Sequence, residues 1–283
     1  MTPEHRVEHR VAGPWSLATS RHFWEGFSPA ALPAAPGTDE LRTVFRSEHD
    51  WTVAEARVAQ DGDRAAVEVR GDGDLDRAVE QVARFLALDV DGREWPGVAR
   101  RDPVMADAQR RLPGLRPCGF HSPYEAAAWS VLSQRTRITH AAALRASLAE
   151  RYGEDGAFPT PDVLRGADLN LPGRKPEYLR AVADAALDGV LDGAALRAIG
   201  PDEAIGRVRE ILGLGPFAAE LVVLRGANAP DVLPRHERRL TAEIAERYGP
   251  DADPVDVAEG WRPLRTWAAV HLRALGEERT RET

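Results

Sequence analysis

Cysteine is nearly absent from this chain of 283 residues: Cys118 is the only one. A single thiol excludes an internal disulfide framework and a four-cysteine iron–sulfur cluster. Cys118 reads as a small buried apolar residue rather than a nucleophile. No run of 18 apolar residues occurs, so no membrane-spanning helix is expected. The N-terminus, MTPEHRVEHR, lacks the apolar core of a signal segment, and a cytoplasmic location is expected. No H-E-x-x-H motif and no pair of cysteines is present, and no metal site is expected. A phosphate loop and a dinucleotide fingerprint are missing too, which argues against nucleotide cofactors. No period of 20–50 residues signals a repeat array. Lysine is scarce beside arginine, a bias that suits phosphate contacts but that a GC-rich genome also produces. The net charge of −8 is the reverse of the usual nucleic-acid-binding footprint, so any DNA contact needs a local basic surface.

What is present is ordinary for a globular protein: 43% apolar and 29% charged residues, in a chain long enough for two domains. Residues 1–101 read as a mixed domain. Two alternating runs, Trp51–Ala59 and Asp63–Arg70, flank the turn signal Asp61-Gly62. Ala34-Ala35-Pro36-Gly37 reads as loop. Leu75, Val79, Val82 and Leu86 recur at helical spacing. His5, His9, His22 and His49 are scattered and expected to be exposed. Most of this domain is expected to be a structural cap away from any substrate.

Residues 102–283 read as almost wholly helical. Ser122-Pro123-Tyr124-Glu125 is a capping box with proline at the first helical position. Helices are expected over Thr139–Tyr152, from Thr160-Pro161, over Lys175–Leu187, over Ile199–Leu212, over Arg238–Tyr248, from Asp253-Pro254, and over Trp261–Leu275.

The most informative stretch is ILGLGPFAAELVVLRGANAPDVLPRHERRL, residues 211–240. Gly213 and Gly215, one residue apart, permit positive φ and leave amides unshielded. Pro216 suits the first turn of a new helix, Phe217 to about Leu224, whose N-terminal amides and dipole can hold a phosphate. An ordinary glycine turn between helices is the alternative. Further on, Glu237 places a carboxylate in a polar loop, or simply an acid at the start of a helix where the dipole favours it.

Leu212-Gly213-Leu214-Gly215-Pro216-Phe217-Ala218-Ala219, followed by Leu233-Pro234-Arg235-His236-Glu237, resembles the hairpin and loop of the helix-hairpin-helix (HhH-GPD) DNA glycosylase superfamily. The resemblance spans about residues 84–275 and is nearest the 3-methyladenine DNA glycosylase II-like branch. It implies an α+β protein: a small N-terminal antiparallel sheet-and-helix domain, then a mostly α-helical HhH-GPD glycosylase domain. It implies a monofunctional hydrolase acting on alkylated or otherwise damaged bases flipped from double-stranded DNA, with no cofactor. Duplex DNA is the expected partner, no membrane is involved, and a monomer is expected.

Carried onto this chain residue by residue, the resemblance makes Gly213, Gly215, Pro216 and Ala218 the phosphate clamp. It makes Glu237 the catalytic carboxylate in place of the family's Asp. Shifting the loop by one residue puts His236 there instead. Phe217 stands where relatives that cut the backbone have a nucleophilic lysine, so no Schiff base is implied. Gln134 and Arg135, in the turn Ser133-Gln134-Arg135-Thr136, fall where the family fills the gap left by the extruded base; a polar interhelical turn is the alternative. A pocket for electron-poor bases calls for aromatics, with Phe217, Trp129, Trp261 and Trp267 as candidates; each can equally be core. Two positions that are aromatic in the branch are Leu221 and Arg273. Two rivals stand beside this reading: a DNA-binding protein that kept the hairpin and lost activity, and a helical interaction protein that binds no DNA.

Overall fold

The structure is a computed structural model that describes residues 2–26 and 39–282, with the side chains of 278–282 left aside. The expected loop at Ala34–Gly37 lies outside the described residues. Four antiparallel strands open the fold: β1 (Glu4–Arg10), β2 (Glu40–Arg46), β3 (Val53–Asp61) and β4 (Arg64–Gly71), in the order β1-β4-β3-β2. Helix α1 (Leu17–Glu25) lies between β1 and β2, and α2 (Leu75–Phe85) follows β4. The β3–β4 hairpin turns at Gly62-Asp63, as the turn signal indicates.

The two outer strands and α1 were not expected from sequence. β1 has one apolar residue, Val7, in EHRVEHR, so no apolar alternation announces it. An edge strand pairs on one side only, and charge there discourages edge-to-edge association. Ladders such as Glu4–Arg70 at 3.0 Å and Glu8–Arg64 at 3.2 Å hold it instead. His5 and His9 are half-buried on one face of this strand, unlike His22 and His49, which are exposed as expected. Among the described residues no cluster of three or more potential ligands could hold a metal ion, and no helix is long and apolar enough to cross a membrane.

The rest is helical: α3 (Trp95–Arg101), α4 (Pro103–Arg111), α5 (Pro123–Ser133), α6 (Ile138–Tyr152), α7 (Pro161–Gly166), α8 (Lys175–Leu187), α9 (Gly193–Ala198), α10 (Pro201–Arg209), α11 (Pro216–Leu221) with a π-helical turn Val222–Gly226, α12 (Arg238–Tyr248), α13 (Pro254–Glu259) and α14 (Arg265–Glu282). Ser122, Thr160 and Asp253 each cap the helix that their sequence context indicates. The last helix starts later than expected, at Arg265, because Trp261–Leu264 forms a turn containing the cis Arg262–Pro263 bond.

Three hydrophobic clusters result. One lies between the sheet and α2 and takes in Trp24 of α1 and Cys118. Burial pushes the Cys118 thiol up to about 12, which leaves it inert as a nucleophile. A second, built on α5, α8 and α11, fills residues 120–232. The third joins Trp95, Val98 and Met105 to Leu240, Ile244, Trp261 and Trp267, so residues on both sides of position 101 share one cluster.

Buried polar groups stitch these clusters together. Arg116, fully buried, donates to the carbonyls of Ala12 (2.5 Å), Pro14 (3.1 Å), Ala87 (2.6 Å) and Val90 (2.8 Å), and its guanidinium lies 5.0 Å from the Trp267 ring centroid. Burial lowers its pKa to about 10, so it stays charged at neutral pH. Arg116→Met would remove four hydrogen bonds; the Ala12 and Ala87 carbonyls would keep Gly92 N and Val90 N, while those of Pro14 and Val90 would lose the arginine with nothing in its place among the described residues. Its stability is expected to fall by about 3 kcal/mol or more, or on the order of 10 °C in thermal midpoint for a chain of this size. A melting curve matching wild type would show that these bonds contribute nothing net.

A second knot joins the sheet to α5. His121 Nε2 lies 2.8 Å from Thr43 Oγ1, and Glu125 pairs with Arg145 at 2.6 Å and with His121 at 3.7 Å. Burial alone would raise the Glu125 carboxyl, but nearby His121 and the Arg145 guanidinium outweigh it and hold it at about 2. That value lies below the ordinary 4.5, so the pairing stabilises the folded chain fully above about pH 4.5 and loses its contribution as the pH falls toward 2. Glu125→Gln is therefore expected to be less stable than wild type at pH 7, with the gap narrowing toward pH 3. Urea melts across that range would read it, and a constant gap would contradict the linkage.

Candidate functional site

The hairpin between α10 and α11 is built as its glycines require. Gly213 has φ +93°, and a Cβ there would fall 2.3 Å from Cγ of Tyr178. Only glycine fits. Gly215 differs: its φ of −81° suits any residue, and an added Cβ meets nothing within 4 Å. Neither conformation nor packing explains glycine at 215. The backbone face there is open, of the kind a ligand can approach closely. Pro216 starts α11, Ala219 N closes the first turn on the Gly215 carbonyl at 3.0 Å, and the preceding amides, Ala218 included, face the helix start.

Helix α11 runs six residues and then widens into the π-helical turn. The Arg225 carbonyl there accepts from Phe120 N at 2.8 Å, and a Cβ on Gly119 would sit 1.9 Å from that oxygen. Two backbone segments thus touch. The contact holds α11 against the segment that leads into α5.

The turn after α5 is anchored from two sides. Gln134 Nε2 donates to the Gly213 carbonyl at 2.7 Å, so its amide is tied to the hairpin and does not project as the expected plug residue. The chain's single lysine, Lys175, lies buried and donates to the carbonyls of Val131, Leu132 and Gln134 at 2.8–2.9 Å. An ammonium there satisfies carbonyls that α5 leaves open at its C-terminal end, and burial lowers its pKa. Held in this way, Arg135 stands exposed at φ +51°. A non-glycine residue in that region stores roughly 1–3 kcal/mol. It is the projecting residue of the turn.

Beside both turns lies a cavity of about 480 Å³, within the roughly 300–1,000 Å³ range of small-molecule sites. Trp129, Phe217, Leu221 and Leu224 give it apolar walls, and α14 closes it with Ala269, Val270 and Arg273. Trp129 is buried while Phe217 is 44% exposed at the entrance. Two expected pocket residues are not there. Trp267 packs against Trp95 beneath Arg116, and Trp261 donates its Nε1 to Asp102 at 2.9 Å; both are core, because their rings fill the third cluster. From the N-terminal segment, α1 contributes Thr19, His22 and Phe23 to the lining.

Glu237 borders the cavity and also caps α12, its Oε1 accepting from Arg239 N at 3.1 Å. The helix-cap reading of this residue is observed, and its carboxylate also borders the cavity. A second carboxylate, Glu220 on α11, was missed from sequence. It is 4% exposed, lines the cavity, and accepts from Arg235 N at 3.1 Å, His236 N at 2.9 Å and His236 Nδ1 at 2.7 Å. A charged residue inside the otherwise apolar FAAELVVL was the signal available for it.

Charge around these elements is not what the net value of −8 indicates. Arg135, Arg137, Arg209, Arg235, Arg238 and Arg239 are exposed and make no ion pair among the described residues. Many other arginines pair with carboxylates, as Arg57 does with Glu40 and Arg265 with Asp231. These six lie by the hairpin, in the α5–α6 turn and in the 234–239 loop; Arg6, Arg100, Arg101, Arg151 and Arg180 are also exposed without an ion pair among the described residues, in other parts of the chain.

No protein-family model matches the chain. Curated relatives do. The DNA-3-methyladenine glycosylase of Bacillus subtilis (strain 168) is 24% identical over 215 residues, covering 69% of this chain and 70% of that protein. DNA-3-methyladenine glycosylase 2 of Escherichia coli (strain K12) is 31% identical over 176 residues, covering 56% of this chain and 60% of its own length. Among solved structures, the 3-methyladenine DNA-glycosylase from Archaeoglobus fulgidus superposes with a TM-score of 0.73 at 18% identity, over 96% of this chain and 98% of that one.

Proposed function

We propose that this chain is a helix-hairpin-helix DNA glycosylase of the 3-methyladenine DNA glycosylase II-like branch, and that it excises alkylated or otherwise damaged bases from duplex DNA. The observation that carries the reading is a cavity roomy enough to take a base, with carboxylates lining it, directly beside a glycine turn whose open face no intramolecular contact explains.

Each step has a residue to support it. A backbone phosphate is held at the Gly213–Ala218 turn by amides and the dipole of α11, with the unpaired arginines supplying the salt-sensitive attraction that duplex binding needs. The damaged nucleotide is extruded, and Arg135 enters the space it leaves. The base slides between Trp129 and Phe217, whose faces favour an electron-poor or cationic ring. Bond cleavage leaves positive charge on the sugar, and Glu237 at the cavity edge is placed to stabilise it. Glutamate in place of aspartate extends the carboxylate by about 1 Å, a displacement that matters to rate and that the loop must accommodate.

The reaction stops at the abasic site. Phe217 offers no amine at the position where lyase relatives have theirs, and Lys175, the one lysine present, is buried on three carbonyls. The test is an excision assay on duplexes carrying single alkylated, deaminated or oxidised bases. Alkali-labile sites should form, the strand should stay intact until alkali is added, and borohydride should trap no covalent complex. Duplex binding without base release on any lesion would leave a damage-binding protein.

A further inference from the structure

With Glu237 assigned to the charge on the sugar, the proton of the attacking water still needs an acceptor, and two groups beside Glu237 are placed to be considered. Glu220 is the least suited despite its position. Its side chain is 5% exposed, and both oxygens are occupied: Oε1 by Arg235 N and His236 Nδ1, Oε2 by His236 N. A proton taken there would break bonds that hold the 234–237 loop. His236 is the reverse case. Its side chain is 52% exposed, and it sits between Pro234 and Glu237, both of which line the cavity.

An ionised carboxylate only accepts hydrogen bonds, so the contact to Glu220 requires Nδ1 of His236 to carry its hydrogen. In the neutral ring the lone pair then lies on Nε2, which has no partner among the described residues. The buried acid therefore fixes both the ring's orientation and its tautomer, as a carboxylate does for a catalytic histidine in other hydrolases. The place also suits the reaction. A flipped base fills the cavity while its sugar stays tethered to the backbone outside it; His236 is half-exposed next to the lining residues Pro234 and Glu237, whereas Glu220 is buried in the cavity wall.

We infer that Glu220 and His236 form a working pair for the hydrolysis: His236 Nε2 is the catalytic proton acceptor for the attacking water, and Glu220 is its positioning residue. In the step, the water oxygen bonds to C1′ as the C1′–N bond breaks. The bonding pair leaves with the base, so a cationic alkylated purine departs neutral. The water proton passes to Nε2 and then to solvent. Glu237 stabilises the sugar cation without taking part in proton transfer.

This rests on the glycosylase reading, and the test separates the two. Single-turnover release of methylated bases is measured from a dimethyl-sulfate-treated duplex, alongside binding to an abasic duplex. The variants are His236→Gly, Glu220→Gln and the double variant. His236→Gly, a change at a half-exposed side chain, is expected to slow release by about 100-fold, the scale of general-base catalysis, with binding unchanged. Added imidazole should restore release in His236→Gly but not in wild type, an effect a structural role would not give. Glu220→Gln should slow release by about 10-fold or more, and the double variant should be no slower than His236→Gly, the non-additivity expected of residues acting as a unit.

Wild-type release with His236→Gly equally fast overturns the pair and leaves the glycosylase reading intact. So does strong loss in Glu220→Gln with none in His236→Gly, which would make Glu220 the acceptor. A wild-type chain that releases no methylated base overturns the glycosylase reading and this role with it.

Discussion

Glu237→Gln is expected to release alkylated bases at least about 100-fold more slowly than wild type, the magnitude attached to removing one preorganised charge-stabilising group. The substitution is well suited to isolate charge. Glutamine keeps the length and the acceptor oxygen, so Arg239 N, 3.1 Å from Oε1 in wild type, retains its cap and α12 its start. Folding stability should therefore change by less than about 1 kcal/mol, and affinity for an abasic duplex should stay within about threefold. What is lost is the negative charge facing a sugar that becomes positive in the transition state. Parallel measurement of release rate, abasic-duplex affinity and thermal midpoint decides the matter. Unchanged release would confine Glu237 to capping and pass the electrostatic role to another carboxylate at the cavity.

Alanine at the two hairpin glycines is expected to give opposite defects. Gly213→Ala introduces a Cβ 2.3 Å from the Tyr178 ring at φ +93°, and neither the ring nor the turn yields cheaply. Tyr178 is covered by Arg174 at 5.0 Å, and the carbonyl of Gly213 anchors Gln134. A destabilisation of roughly 3 kcal/mol or more is expected, in the range of substitutions that combine overpacking with backbone strain. Gly215→Ala meets no atom of the protein and has an ordinary φ, so it should be as stable as wild type or more so by about 0.5 kcal/mol, since alanine restricts the unfolded chain. Its methyl would stand on the open face of the turn. Duplex affinity should fall roughly 10-fold, about 1.4 kcal/mol. Denaturation midpoints and binding isotherms separate the two variants. Wild-type affinity in Gly215→Ala would remove the phosphate from this turn.

The legible parts of this protein were those set by neighbours in sequence. Asp61-Gly62 marked the β3–β4 turn, and Ser122, Thr160 and Asp253 marked helix starts, because a cap or turn is formed by residues within four positions of each other. The glycine hairpin was legible for the same reason, as was the placement of Glu237 at the start of α12. Strand β1 was not, since its ladder with β4 joins residues about 60 positions apart and its own composition is that of a charged coil. Trp129, Trp261 and Trp267 looked alike on their helices. One reached the cavity and two filled the core, a choice made by the elements packed against them.

The candidate site divides along the same line. By itself the sequence determined the α+β class, the glycine hairpin and the position of the carboxylate at 237 at a helix start, all of which depend on residue identity and short spacing. Only the tertiary structure decided that α1 walls the cavity, that Gln134 is tied down while Arg135 projects, that six arginines near the hairpin and the 234–239 loop stay without an ion pair despite a net charge of −8, and that Glu220 grips Arg235 N and His236 from fifteen and sixteen residues away. Those outcomes are hydrogen bonds and ion pairs between groups distant in sequence. Burial makes each buried polar group find a partner, and which partner is within reach is fixed only when the helices have packed.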